Sequence, residues 1–128
     1  MDIRVRYSDE ELEEFRQLIL EKLTVAKRDY ETLMDQLTNR KGNGVDDTTP
    51  TFHALEEGAA TQFKEATMNM AARTQKFIKG LEAALIRIDN KTYGVCRETG
   101  KLIPKERLRA VPHATLSIEA KQMRDKRR

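Results

Sequence analysis

Tyr93-Gly94-Val95-Cys96-Arg97-Glu98-Thr99-Gly100-Lys101-Leu102-Ile103-Pro104-Lys105-Glu106-Arg107-Leu108-Arg109-Ala110-Val111-Pro112-His113-Ala114-Thr115-Leu116-Ser117-Ile118-Glu119-Ala120-Lys121 is the stretch whose reading decides the fold of this chain. It holds Cys96, the only cysteine in the sequence. Cysteines at positions 99, 117 and 120 would complete two C-x2-C pairs with 17 residues between them, the spacing of a four-thiolate structural zinc site. Thr99, Ser117 and Ala120 stand there instead. One thiolate cannot hold structural zinc, so the reading is a segment with no metal and no cofactor, folded by apolar packing. No base adjoins Cys96, which reads as a small apolar filler rather than a nucleophile.

Tyr93, Gly94, Cys96, Gly100, Ile103, Arg107, Leu108, Ala110, Pro112 and Ala114 fall without a gap on the pattern Y-G-x-C-x-x-C-G-x-x-I-x-x-x-R-L-x-A-x-P-x-A-x-x-C-x-x-C. The stretch therefore resembles the finger of the DksA/TraR family of bacterial transcription regulators. A weaker likeness runs over roughly residues 8–121.

Upstream, Ser8-Asp9-Glu10-Glu11 opens a helix: Ser8 suits the N-cap, Glu11 the capping-box position, and acids fill the first turn. Leu12, Phe15, Ile19, Leu23, Ala26, Tyr30, Leu33 and Leu37 then recur at steps of three and four. Gly42-Asn43-Gly44 breaks this helix, and Pro50 suits the first position of the next. A second stripe reads Leu55, Ala59, Phe63, Ala66, Met70, Phe77, Leu81, Ala84 and Ile88.

With 38% apolar and 35% charged residues and no Trp, the 128-residue chain is poorly suited to a large globular core. Two helices with narrow apolar seams are best paired with each other. The expected fold is mainly α: a long antiparallel coiled-coil hairpin over 1–91, with a tip loop at about 40–52, and a small finger-like knob without metal over 92–128. Pro104–Leu108 reads as a short helix, and Leu116 to about Lys126 as a terminal one leading into a basic tail. Eight side chains (Tyr93, Val95, Leu102, Ile103, Leu108, Val111, Leu116 and Ile118) are the expected knob core. Buried at about 1.5–3 kcal/mol each, they rival the ~10–16 kcal/mol of a structural zinc before entropy is counted.

The net charge is only +3, but it is unevenly spread. Ten Lys/Arg against four Asp/Glu lie between Thr92 and Arg128, while five acids face one Lys between Val45 and Thr67. No apolar run approaches the ~18 residues that span a bilayer, so no membrane is expected. The N-terminus lacks a signal peptide's apolar stretch, and a single cysteine fits a cytoplasmic setting. No catalytic constellation or phosphate-binding glycine loop is present, so no enzymatic activity is expected.

The resemblance implies direct binding to RNA polymerase, with a coiled coil inserted in the secondary channel and its acidic tip near the active site. Counted back from Cys96, the family's tip motif, acid-x-x-Asp-x-Ala, falls on His53-Ala54-Leu55-Glu56-Glu57-Gly58, with Asp46 and Asp47 just before it. His53, Glu56 and Gly58 depart from that motif. On the knob, Lys101, Lys105, Arg107, Arg109 and Lys121 are candidate contacts to an acidic partner surface. The basic positions that hold guanosine tetraphosphate in the family fall on Gly80, Val111 and Lys121; only Lys121 is basic, which implies weak or no response to that nucleotide. Two other readings stand beside this one. The hairpin can be an interaction module for a different partner, or the tail from Lys121 to Arg128 can bind nucleic acid. The tail lacks aromatic interleaving and any groove-reading motif, so sequence-specific DNA binding is not expected.

Overall fold

The computed structural model describes residues 5–42 and 50–126, with side chains described for 5–38 and 56–126. The fold is mainly α, as expected. Among the described residues four helices follow one another: α1 (Asp9–Gly42), α2 (Pro50–Asp89), α3 (Lys105–Ala110) and α4 (Ile118–Lys126). Among the described residues the only β pairing is an isolated antiparallel bridge between Val95 and Leu102. No described helix is long and apolar enough to cross a membrane.

The start of α1 follows the capping rule. The Glu11 amide donates to Ser8 Oγ at 3.2 Å, and the Ser8 amide donates to Glu11 Oε1 at 3.1 Å. α2 ends where Thr92 and Tyr93 amides both donate to the Arg87 carbonyl, with Lys91 at a positive φ of 65°.

The chain forms two compact units. The first joins Met1–Thr24 to Lys79–Arg128, the second is Val25–Ile78. In the first unit the start of α1 runs antiparallel to the end of α2. Asp9 pairs with Lys91 at 2.8 Å, and Arg16 pairs with Asp89. Leu12, Phe15, Ile19 and Leu23 of α1 and Leu81, Ala84 and Ile88 of α2 are buried. Tyr93, Cys96, Ile103, Leu108, Pro112, Ala114, Leu116 and Ala120 complete this core.

The knob core departs from expectation at two positions. Leu102 and Ile118 are exposed, at 36% and 52%. Val95 and Val111 are half-buried. Ile118 is the first residue of α4, and the buried face of that helix passes through Ala120 instead. Tyr7, just ahead of the α1 cap, takes up much of the core: its ring lies 5.7 Å from Phe15, which in turn lies 5.4 Å from Tyr93.

The second unit buries Ala26, Thr67, Ala71 and Ile78. Here the expected α2 stripe is corrected. Phe63 and Met70 are exposed at 41% and 56%, and Ala59 and Ala66 are exposed as well. Burial instead follows Thr67, Ala71, half-buried Thr74, Ile78 and Leu81, alternating steps of four and three. That is a seven-residue repeat, the period a helix needs to keep one seam facing a neighbour. The expected stripe drifted off it because Phe63 and Met70 are larger and more apolar than the Thr and Ala residues that form the seam.

Candidate functional site

Two sets of candidate residues fall in the two separate units. The first is the finger. Cys96 donates its amide to the Lys101 carbonyl at 2.8 Å, and the Gly100 amide donates to the Cys96 carbonyl at 2.9 Å, closing a tight turn. Ile103 returns its amide to the Gly94 carbonyl at 2.7 Å. Two glycines make this path possible. Gly100 has a φ of +73°, and Gly94 one of +79°. A Cβ on Gly94 would lie 2.5 Å from the Tyr7 ring, so Gly94 answers a close approach as well as a left-handed backbone.

The second half of the finger is held onto the first. The Arg97 amide donates to the Thr115 carbonyl at 2.9 Å. The Ser117 amide donates to Cys96 Sγ at 3.4 Å, and Cys96 Sγ lies 3.7 Å from Ser117 Oγ. Ser117 also caps α4, its Oγ accepting the Ala120 amide at 3.2 Å. Thr99 Oγ1 accepts the Lys101 amide at 3.3 Å. Burial pushes the Cys96 thiol up, but hydrogen bonds from the Thr99 hydroxyl and the amides of Ser117, Thr99 and Glu98 outweigh it and bring it down to about 6. Three side chains tie backbone carbonyls of the finger in place. The Tyr7 hydroxyl donates to Ile103, the Tyr93 hydroxyl to Pro112 at 2.8 Å, and Arg107 Nε to Leu116 at 2.9 Å. Burial raises the Tyr93 hydroxyl well above its ordinary range, so it stays a donor.

The four positions at zinc-ligand spacing carry a mixed set of side chains. Cys96 offers one soft donor, Thr99 and Ser117 offer neutral hydroxyls, and Ala120 offers none. Ser117 Oγ already accepts the Ala120 amide, and Cys96 Sγ the Ser117 amide. This set does not fit a tetrahedral zinc ion. Among the described residues, no three His, Cys, Asp or Glu side chains gather in one place.

The basic residues of the finger differ in their freedom to meet a partner. Lys101, Arg109 and Lys121 are exposed. Lys105 is also exposed but pairs with Glu11, whose carboxyl falls to about 2 through hydrogen bonds from Lys105 and Ser8. Arg107 is half-buried and spends its Nε on Leu116. Sequence reasoning missed the structural use of Lys105 and Arg107.

Gly80 and Val111 lie in the same unit. The His113 ring covers Gly80: a Cβ there would meet it at 3.2–3.3 Å. Arg87 donates to the His113 carbonyl at 3.4 Å. Burial, and then the Arg87 charge, lower the His113 pKa.

The second set of candidates is the tip. Asp46 and Asp47 lie outside the described residues, as does the side chain of His53 and the Gly42-Asn43-Gly44 break beyond Gly42. Glu56 is half-buried, and Glu57 and Gly58 are exposed on α2. A Cβ on Gly58 would meet nothing within 4 Å, so the alanine of the family motif would fit.

Comparison with known proteins places these features. Residues 91–125 match the family described as prokaryotic dksA/traR C4-type zinc finger. The chain is 30% identical over 121 residues to the RNA polymerase-binding transcription factor DksA of Caulobacter vibrioides, covering 94% of this chain and 80% of that protein. It is 30% identical over 98 residues to general stress protein 16O of Bacillus subtilis; the match takes in 77% of this chain and only 56% of that longer relative. The structure of transcription factor DksA2 from Pseudomonas aeruginosa matches with a TM-score of 0.74 and 28% identity, covering 91% of this chain and 84% of that one.

Proposed function

Because the chain belongs to the DksA/TraR family, we propose that it regulates bacterial transcription in the cytoplasm by binding RNA polymerase directly. The observation that carries this reading is the extent of the likeness to the DksA of Caulobacter vibrioides. It runs over 94% of the chain and so takes in α1 and α2 as well as the finger. The hairpin enters the secondary channel and sets Asp46, Asp47 and Glu56 near the polymerase active site, where carboxylates meet a metal ion or the basic groups that handle phosphates. Exposed Lys101, Arg109 and Lys121 are the cations available to an acidic rim of the polymerase. The chain carries no chemistry of its own. Its effect is steric or allosteric, altering the stability of initiation complexes.

The response to guanosine tetraphosphate is weak or absent. The basic side chains that would hold it are replaced by Gly80 and by half-buried Val111, leaving Lys121. The covering His113 ring also means that Gly80→Lys restores a cation only if that ring gives way by a few tenths of an ångström.

The test is binding of the purified protein to core RNA polymerase, with a competitor that occupies the secondary channel. Saturable binding that the competitor abolishes, and that the Asp46→Ala/Asp47→Ala/Glu56→Ala variant weakens, is expected. Binding untouched by the competitor would assign the hairpin to another surface, and no binding at micromolar protein would assign it to another partner.

A further inference from the structure

The family to which residues 91–125 belong is named for four zinc-binding cysteines, and this chain has one. Its one cysteine is instead hydrogen-bonded across the finger, with the Ser117 amide donating to Cys96 Sγ at 3.4 Å. We infer that a hydrogen-bonded cluster of Cys96, Thr99 and Ser117 replaces the zinc ion in this chain, and that positions 96, 99, 117 and 120 keep the frame of a tetrahedral site that three substitutions would reopen.

The geometry carries both halves. Zinc–sulfur bonds of about 2.3 Å set thiolates about 3.8 Å apart along each edge of a tetrahedron. Cys96 Sγ lies 3.7 Å from Ser117 Oγ, so one edge already has the required length with a hydroxyl in place of the second sulfur. The other positions are linked to that edge in pairs. Thr99 Oγ1 accepts the Lys101 amide at 3.3 Å inside the turn that the Cys96 amide closes on the Lys101 carbonyl, and the Ala120 amide donates to Ser117 Oγ at 3.2 Å. The Ala120 side chain is buried on the same turn as Ser117. Ser117 and Ala120 are the N-cap and third residue of α4, and the Cys96 turn is fixed by Gly100 and by the Val95–Leu102 bridge. Each half of the frame is therefore set by its own backbone: a capped helix start on one side and a glycine turn with a bridge on the other.

The electrostatic account is also complete without an ion. Amides of the kind that orient and support thiolates around zinc here serve the Cys96 sulfur and the Ser117 hydroxyl directly. Four thiolates would repel one another and require the metal; one sulfur with two hydroxyls does not. The cohesion that zinc supplies elsewhere is taken over by side chains that reach into the finger. Tyr7 comes from the segment before α1, and Tyr93 lies fully buried beneath Pro112. Tyr7 is tied to the finger by its hydroxyl and to Phe15 by its ring, so a metal-free finger depends on residues far from it in sequence.

The experiment measures zinc content and thermal unfolding of the full chain and of Thr99→Cys/Ser117→Cys/Ala120→Cys, each with and without a chelator. The native chain is expected to hold far less than one zinc per chain and to melt at the same temperature with chelator present. The triple variant is expected to bind one zinc and to lose several degrees of melting temperature when it is chelated. Stoichiometric zinc in the native chain, or a native melting point that falls with chelator, would overturn the substitution of the ion. A folded triple variant that takes up no zinc would overturn the retained frame. Should the triple variant not fold, Thr99→Cys/Ser117→Cys with cobalt(II) reads the same frame: a thiolate-to-cobalt charge-transfer band supports it, and a folded double variant without the band refutes it.

Discussion

Phe15 and Phe63 are the same residue in two helices of one chain, and their fates differ. Phe15 is 5% exposed between the rings of Tyr7 and Tyr93; Phe63 is 41% exposed. The units around them differ in the same way. The first is packed with Tyr7, Leu12, Phe15, Ile19, Leu81, Tyr93, Ile103 and Leu108, while the second buries Ala26, Thr67, Ala71 and Ile78. Buried apolar area is what stabilises a fold, and large side chains supply most of it. The first unit therefore carries most of the stability of the chain. Among the described residues, the second has a thinner seam, in which Ala26, Thr67 and Ala71 accompany Ile78.

The largest expected effect sharpens this contrast. Phe15→Ala should cost about 3–5 kcal/mol, read as a fall in the urea midpoint, because it opens a cavity between two aromatic rings. Phe63→Ala should stay within about 1 kcal/mol of the native protein. Equal losses from the two substitutions would break the comparison. Gly94→Ala comes next. The left-handed backbone alone costs about 1–3 kcal/mol, and the new Cβ must also displace the Tyr7 ring. If only the finger were disturbed, amide exchange would rise there alone; the expected result is faster exchange at the start of α1 too. Ser8→Ala should cost about 0.5–2 kcal/mol by removing one half of the capping box.

A smaller effect follows from pH. The His113 pKa is lowered in the folded state by burial and by Arg87, so the unfolded chain binds the extra proton more readily. Stability is then full above the unfolded value of about 6.5 and falls as pH drops below it. Thermal unfolding between pH 7.5 and 5 should show this decline, and His113→Phe should flatten it. A native melting point that rises on acidification through this window would contradict the assignment. At lower pH the Glu11 carboxyl, held at about 2 by Lys105 and Ser8, keeps its contribution until pH falls below the ordinary carboxylate range toward that value.

Much of the fold was legible in the sequence because its signals were chemical. Ser8 with Glu11 marked the start of α1. Large residues at steps of three and four marked the α1 face that is buried. The α2 seam was misread where small residues form it: Thr67, Ala71 and Thr74 give a weaker apolar signal than Phe63 and Met70 beside them. Tyr7 was missed, although its place just before an N-cap is where a hydrophobic staple sits. The basic candidates were found as residue types, but charge alone does not distinguish Lys101, which is exposed, from Arg107, which is spent on a carbonyl.

The most direct test of the account is where the chain is cut when ferrous ion replaces magnesium in the active site of bound RNA polymerase. Hydroxyl radicals formed there cleave only the backbone nearby. Cleavage confined to the neighbourhood of Asp46, Asp47 and Glu56, and suppressed by a secondary-channel competitor, is the predicted result. Cleavage within the finger, or none from a complex shown to be saturated, would contradict it.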